Sequence, residues 1–214
     1  MRVRVLEDAA AVAREAAQLV AADLRDGART LVLAGGSTPR SAYELLAAMD
    51  LEWGRVLILF GDERCLPPTD PESNYAMAKG ALLDKIAPAG VLRIAAELGP
   101  EVAASDYDRL LQDMGQLDLV LLGMGEDGHC ASLFPDSPQL QSTALVAAVR
   151  GAPKPPAERV TLTLRAFNEA RRVVFMATGQ GKAVALQRAQ RGEVPAGRIA
   201  GAEFLVDRAA AGAL

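Results

Sequence analysis

Aromatic residues are scarce in this chain: one tryptophan, three tyrosines and five phenylalanines in 214 residues. Proteins that hold single-stranded nucleic acid stack bases on such side chains along a basic groove. The basic groove is lacking too, because 27 acidic residues outnumber 23 lysines and arginines and leave a net charge of −4. No nucleic-acid partner is expected, and any bound anion has to be held by local groups. Two cysteines, Cys65 and Cys130, are too few for a disulfide framework. With a single histidine, His129, they give no zinc-ligand spacing, and no metal is expected. No run approaches the roughly 18 apolar residues of a spanning helix, so no membrane association is expected. The opening MRVRVLEDAAAVAREAA turns acidic and amphipathic too early for a secretory signal. The composition reads as a cytoplasmic protein.

What is present is ordinary for a globular protein: 50% of residues are apolar and 23% charged. The length suits one domain spanning residues 1–214. Glu7 to Asp26 has helical spacing, with Asp8 as cap and Gly27 as stop. Thr30–Ala34, Arg55–Phe60, Asp118–Leu122 and Arg172–Ala177 are short apolar runs, the pattern of strands buried on both faces. Val91–Ile94 reads as a short strand, and Glu101–Met114 as a helix with Val102, Leu110 and Leu111 inward. Arg159–Leu164 alternates, which predicts a half-exposed strand, and Phe204–Val206 reads as an edge strand before a short terminal helix. Alternating strands and helices imply an α/β fold, a mostly parallel sheet with helices on both faces.

Four loops should meet at the carboxyl edge of that sheet, where open parallel sheets bind ligands. Gly35-Gly36-Ser37-Thr38-Pro39 offers free backbone N–H groups and two hydroxyls at a helix start, with Thr38 as the cap. The same residues also make sense as a capped turn and nothing more. Gly61-Asp62-Glu63-Arg64-Cys65 reads as a rigid polar loop, and Pro71-Glu72-Ser73-Asn74 as the cap of a helix running through Leu83. Lys182, in Thr178–Lys182, opens a helix where a lysine is unfavourable unless an anion shares that end. The remaining loop, Gly123–Ser132, holds His129. Gly123, Gly125 and Gly128 there match the dinucleotide fingerprint, but Pro135 interrupts the helix that motif requires and the following acid is missing. His129 is the one side chain titrating near neutrality, so proton transfer by it is the economical chemistry. Its bland alternative is a surface residue capping a turn.

The segments LAGGSTPRSAYELL, GDERCLPPTDPESNYAMAK, LGMGEDGHCASLFPDS, APKPPAERVTLTL and TGQGKAVAL occur in one order from about Leu31 to Leu186. Together they resemble the successive motifs of the 6-phosphogluconolactonase family. The resemblance implies a Rossmann-like, sugar-phosphate isomerase-like fold. It also implies hydrolysis of 6-phospho-D-glucono-1,5-lactone to 6-phosphogluconate, in the oxidative pentose phosphate pathway, without metal or cofactor. His129 matches the residue that activates water; Asp127 and Gly128 match those that shape its loop and orient the ring. Arg64 matches the arginine of an Asp-Glu-Arg motif, assigned to the oxyanion. Ser37, Thr38, Arg159 and Lys182 fall where the wider superfamily holds phosphate, and Gly35, Gly36, Asp62 and Asn74 join the substrate-binding set. Either Asp62 or Asp127 could partner the histidine.

Cys130 stands where the family commonly has threonine, and nothing transfers after Gly192. Amino-sugar-phosphate isomerases share Gly-x-Asp-Gly-His but carry Asn-Glu where this chain has Leu133-Phe134. They, and a non-catalytic sugar-phosphate sensor, are the alternatives. The expected partner is one small phosphorylated lactone, bound by a monomer or weak homodimer.

Overall fold

The computed structural model describes residues 1–212. In chain order the strands are β1 Arg2–Leu6, β2 Thr30–Leu33, β3 Leu57–Phe60, β4 Asp62–Arg64, β5 Gly90–Val91, β6 Leu119–Gly123, β7 Val146–Val149, β8 Arg159–Leu162, β9 Arg172–Ala177 and β10 Glu203–Asp207. The helices are α1 Ala9–Arg25, α2 Ser37–Leu46, α3 Asn74–Ala81, α4 Pro100–Met114, α5 Leu164–Glu169, α6 Ala183–Gln190 and α7 Arg208–Ala211. Seven strands form one parallel sheet in the order β1-β10-β9-β6-β2-β3-β5. From β2 the chain works outward through β3 to β5; from β6 it works the other way through β9 to β10. The reversal opens a crevice above β6 and β2.

This order places the site. β9, β6, β2 and β3 are consecutive neighbours, so the turns at Thr178, Gly123, Gly35 and Gly61 leave one rim side by side. β6 sits in the middle, and Leu119 to Leu122 are fully buried, as an unbroken apolar run requires. Asp8 caps α1 as expected, accepting from Ala11 N at 2.7 Å. α2 departs from expectation: Gly36, at φ 111°, occupies the cap position and the helix starts at Ser37. Only glycine holds that angle comfortably. Thr38 Oγ1 instead meets Thr178 Oγ1 at 2.8 Å.

Three expectations about strands change. Asp62–Arg64 is not a loop but β4, which pairs antiparallel with β8 in a three-stranded sheet, β4-β8-β7. β8 is buried at all four positions rather than half-exposed. Its polar members face the rim loops instead of solvent: Thr161 Oγ1 accepts from Ser132 N at 3.1 Å, and Arg159 reaches beneath the loop before it. β10 is not an edge, because β1, which no apolar run announced, pairs outside it. In α4, Val102 points outward at 52% exposure, while Leu111 is buried.

β4 is fixed by Glu63. Its buried carboxylate accepts from Arg64 N, Asn74 N and Tyr75 N, each at 2.8 Å, and from Ser73 Oγ at 3.0 Å. The side chain therefore closes the start of α3 and joins it to β4. Glu63→Ala leaves four donors without an acceptor, two of them buried and two half-buried, and is expected to cost about 3 kcal/mol of stability. The test is a urea titration: the midpoint should fall at an unchanged slope. A midpoint equal to the parent's would remove Glu63 from the fold's supports.

Candidate active site

The four turns enclose a cavity of about 280 Å³. Gly35, Ser37, Thr38, Asp62, Arg64, Asn74, His129, Arg159 and Lys182 all line it, with Met124 and Met176 on its walls. A larger hollow of about 560 Å³ opens at the opposite rim, where the strands begin. Its charges largely neutralise one another, with Arg172 bridging Asp23 and Glu203 at 2.8 Å each, so the smaller cavity is the chemically equipped one.

The histidine is placed by a compact turn. Gly125 N donates to His129 O at 2.9 Å, and Gly128 N to Gly125 O at 3.0 Å. Gly128 sits at φ 85°, where a side chain would also strike Val194. At Gly125 an added Cβ would overlap both the His129 ring and the Asp127 carboxylate. Into that space fits a hydrogen bond of 2.5 Å between His129 Nδ1 and Asp127 Oδ1, while the ring rests on Phe134, centroid to centroid 4.8 Å. With Asp127 accepting the Nδ1 proton, Nε2 is left to accept another.

Burial pushes the imidazole below its ordinary value, outweighing the upward pull of Asp127. The ring is thus neutral at neutral pH. For Asp127 burial acts upward, but the His129 hydrogen bond and charge prevail and hold the carboxyl low. The same contact draws the two groups in opposite directions, and His129 still ends low because its own burial dominates.

Asp62 does not partner the histidine. It accepts from Ser132 Oγ at 2.6 Å and from Asn74 Nδ2 at 2.9 Å. That engages the Ser132 hydroxyl away from His129, so the serine is not a paired nucleophile. Arg64 faces Arg159 across β4 and β8, donates to Glu72 O, and has a buried Nε without a hydrogen-bond partner among the described residues. Arg159 lies in the cavity wall, but its fork donates to Lys154 O, Pro155 O and Pro156 O at 3.0–3.1 Å. The Lys182 backbone N–H donates to Gly179 O at 3.0 Å, but its ammonium has no hydrogen bond or ion pair among the described residues.

Sequence reasoning missed two participants. Asp207, at the end of β10, accepts Gly179 N with both oxygens at 3.0 Å and so holds the Lys182 turn. Lys154 lines the cavity from the proline-rich loop. The loop's glycine and prolines were visible, but nothing in their order says which way the lysine points.

A sequence model of the family described as glucosamine-6-phosphate isomerases/6-phosphogluconolactonase matches residues 6–206. That range includes the stretch after Gly192, to which the motifs gave no guide. The chain is 43% identical over 196 residues to the 6-phosphogluconolactonase of Homo sapiens, covering 84% of this chain and 76% of that protein. It is 36% identical over 200 residues to the 6-phosphogluconolactonase of Nostoc sp., covering 86% and 82%. Among solved structures, the 6-phosphogluconolactonase of Thermotoga maritima aligns with a TM-score of 0.88 at 29% identity, covering 96% of this chain and 99% of that one. A monomeric glucosamine-6-phosphate deaminase aligns at a TM-score of 0.89 over all of both chains, but at 21% identity it shares the fold alone.

Proposed function

The chain belongs to the glucosamine-6-phosphate isomerase/6-phosphogluconolactonase family, and from there we propose that it hydrolyses 6-phospho-D-glucono-1,5-lactone to 6-phospho-D-gluconate with His129 as general base. The supporting observation is that one cavity is lined both by His129, whose neutral ring is hydrogen-bonded to the Asp127 carboxylate, and by Lys182, whose ammonium has no partner among the described residues. Every group the reaction uses comes from a single chain, so a monomer suffices.

The phosphate sits against the start of α2, where Ser37 and Thr38 offer N–H groups and hydroxyls and Lys182 adds charge. That anchor sets the lactone carbonyl before His129. Nε2 takes a proton from water as the oxygen attacks C1. The carbonyl oxygen becomes an oxyanion facing Arg64, whose desolvated Nε has no other partner among the described residues. As the C1–O5 bond breaks, the imidazolium returns the proton to O5. These steps use side chains alone. Phe134, buried under the ring, puts no carboxylate where ring-opening and enolisation would need a second base, which favours the lactonase over the isomerase.

Lys182→Ala should raise KM far more than it lowers kcat, because it removes binding common to ground and transition states. Steady-state kinetics on freshly made lactone decide this; a fall in kcat alone would move the phosphate elsewhere. The acid limb of kcat should lie below the ordinary histidine value of about 6.5, because burial favours the neutral ring. Activity is lost as pH falls through it and is level near neutrality. In Asp127→Asn the limb should move lower still, since the carboxylate's upward pull is gone. A limb above 6.5 in the parent enzyme would assign it to another group.

A further inference from the structure

Residues 151–157 form an exposed loop that is held more firmly than a connection requires. Ala152 N donates to Ala157 O at 2.9 Å, closing the loop on itself. From beneath, the buried Arg159 guanidinium gathers three of its carbonyls, Lys154 O at 3.0 Å, Pro155 O at 3.1 Å and Pro156 O at 3.0 Å. A planar fork engaged in this way fixes orientation as well as position. The loop holds out Lys154, which lines the cavity that Asp62, Arg64 and His129 share. Its ammonium has no hydrogen bond or ion pair among the described residues. The cavity thus has two such lysines, Lys182 beside the α2 start and Lys154 on the separate β7–β8 connection.

We propose that Lys154 contacts the substrate at its reacting end, stabilising the oxyanion and then the carboxylate that the reaction creates there. The proposal rests on the lactonase reading. Hydrolysis starts from a neutral ester and ends in an anion, so charge appears at the His129 end only as the reaction proceeds. A cation placed there favours the transition state over the bound substrate. Its charge also bears on the base. The charged groups acting on the imidazole are Asp127 and Asp62, which favour the protonated form, and Lys154, which opposes it. Lys154 therefore helps keep the ring ready to accept a proton. Arg159, with its donors engaged by the loop, is the brace beneath it.

Lys154→Met tests this without endangering the fold, because the loop is braced through its backbone and the side chain is exposed. Calorimetry should show about tenfold weaker binding of 6-phosphogluconate, the scale of one partly solvated charge-assisted contact. Binding of glucose 6-phosphate, which carries the phosphate but no carboxylate, should be unchanged. The kcat should fall by about tenfold with its acid limb moved to higher pH, and Lys154→Arg should recover most of both effects. Lys182→Ala, by contrast, should weaken both ligands alike. Equal losses for the two ligands in Lys154→Met would place this lysine at the phosphate and overturn the proposal. So would unchanged binding with an unmoved limb. Because calorimetry needs no turnover, a carboxylate-selective loss in Lys154→Met beside a parent protein that leaves the lactone intact would refute the lactonase reading and keep the contact.

Discussion

His129→Asn should lower kcat by about 10²–10⁴-fold, the range one positioned general base supplies, while 6-phosphogluconate binds within a few-fold of the parent. The two halves of this result separate because they depend on different turns. The imidazole stands on the turn after β6, whereas the groups proposed to hold the phosphate stand on the turns after β2 and β9. Nor should the fold suffer, since the ring's contacts are with Asp127 and the Phe134 face rather than with the sheet. A δ-lactone opens slowly by itself, so the assay needs a no-enzyme control at each pH. A variant within a few-fold of the parent in kcat would falsify the general-base assignment.

Gly125→Ala should come close to the same loss without touching a reacting atom. The residue has no unusual backbone angle to defend; the constraint is space. A methyl group there would overlap the imidazole and the Asp127 carboxylate together. Both are side-chain ends, so they swing aside while the turn, held by Gly125 N to His129 O and Gly128 N to Gly125 O, stays closed. Displacing a catalytic group by about 1 Å can cost about 10²-fold, and the loss should fall on kcat with KM nearly unchanged. A melting temperature close to the parent's, measured beside the kinetics, separates displacement from unfolding. Parent-like turnover would mean the pair tolerates movement and that its geometry is not what sets the rate.

The parts of this site that could be read from the chain are those where an apolar run ends in glycine. LVLAGGST, LILFGDER and LVLLGMGEDGH each announce a buried strand and a turn at its end, and all three lie on the same rim. The pairing of His129 with Asp127 rather than Asp62 was not legible, because it depends on Ser132 and Asn74 claiming Asp62 from elsewhere in the chain. β8 misled for a related reason. Alternation normally marks a solvent face, but here Arg159 and Thr161 turn toward the rim and are covered. β1 escaped because RVRVL is short and charged, as suits an edge with one neighbour. β10 lies inside the sheet only because β1 covers it, a fact no local pattern encodes.

The proposed phosphate corner and the imidazole hang from separate strands of one rigid sheet, whose spacing is fixed at about 4.8 Å between neighbours. On that assignment the molecule should work as a gauge of chain length. A phosphorylated lactone one carbon shorter, seated by its phosphate, would leave its carbonyl short of the waiting nitrogen. Such compounds should occupy the enzyme without being consumed, and selectivity would follow from the masonry of the sheet instead of from any group that recognises the sugar.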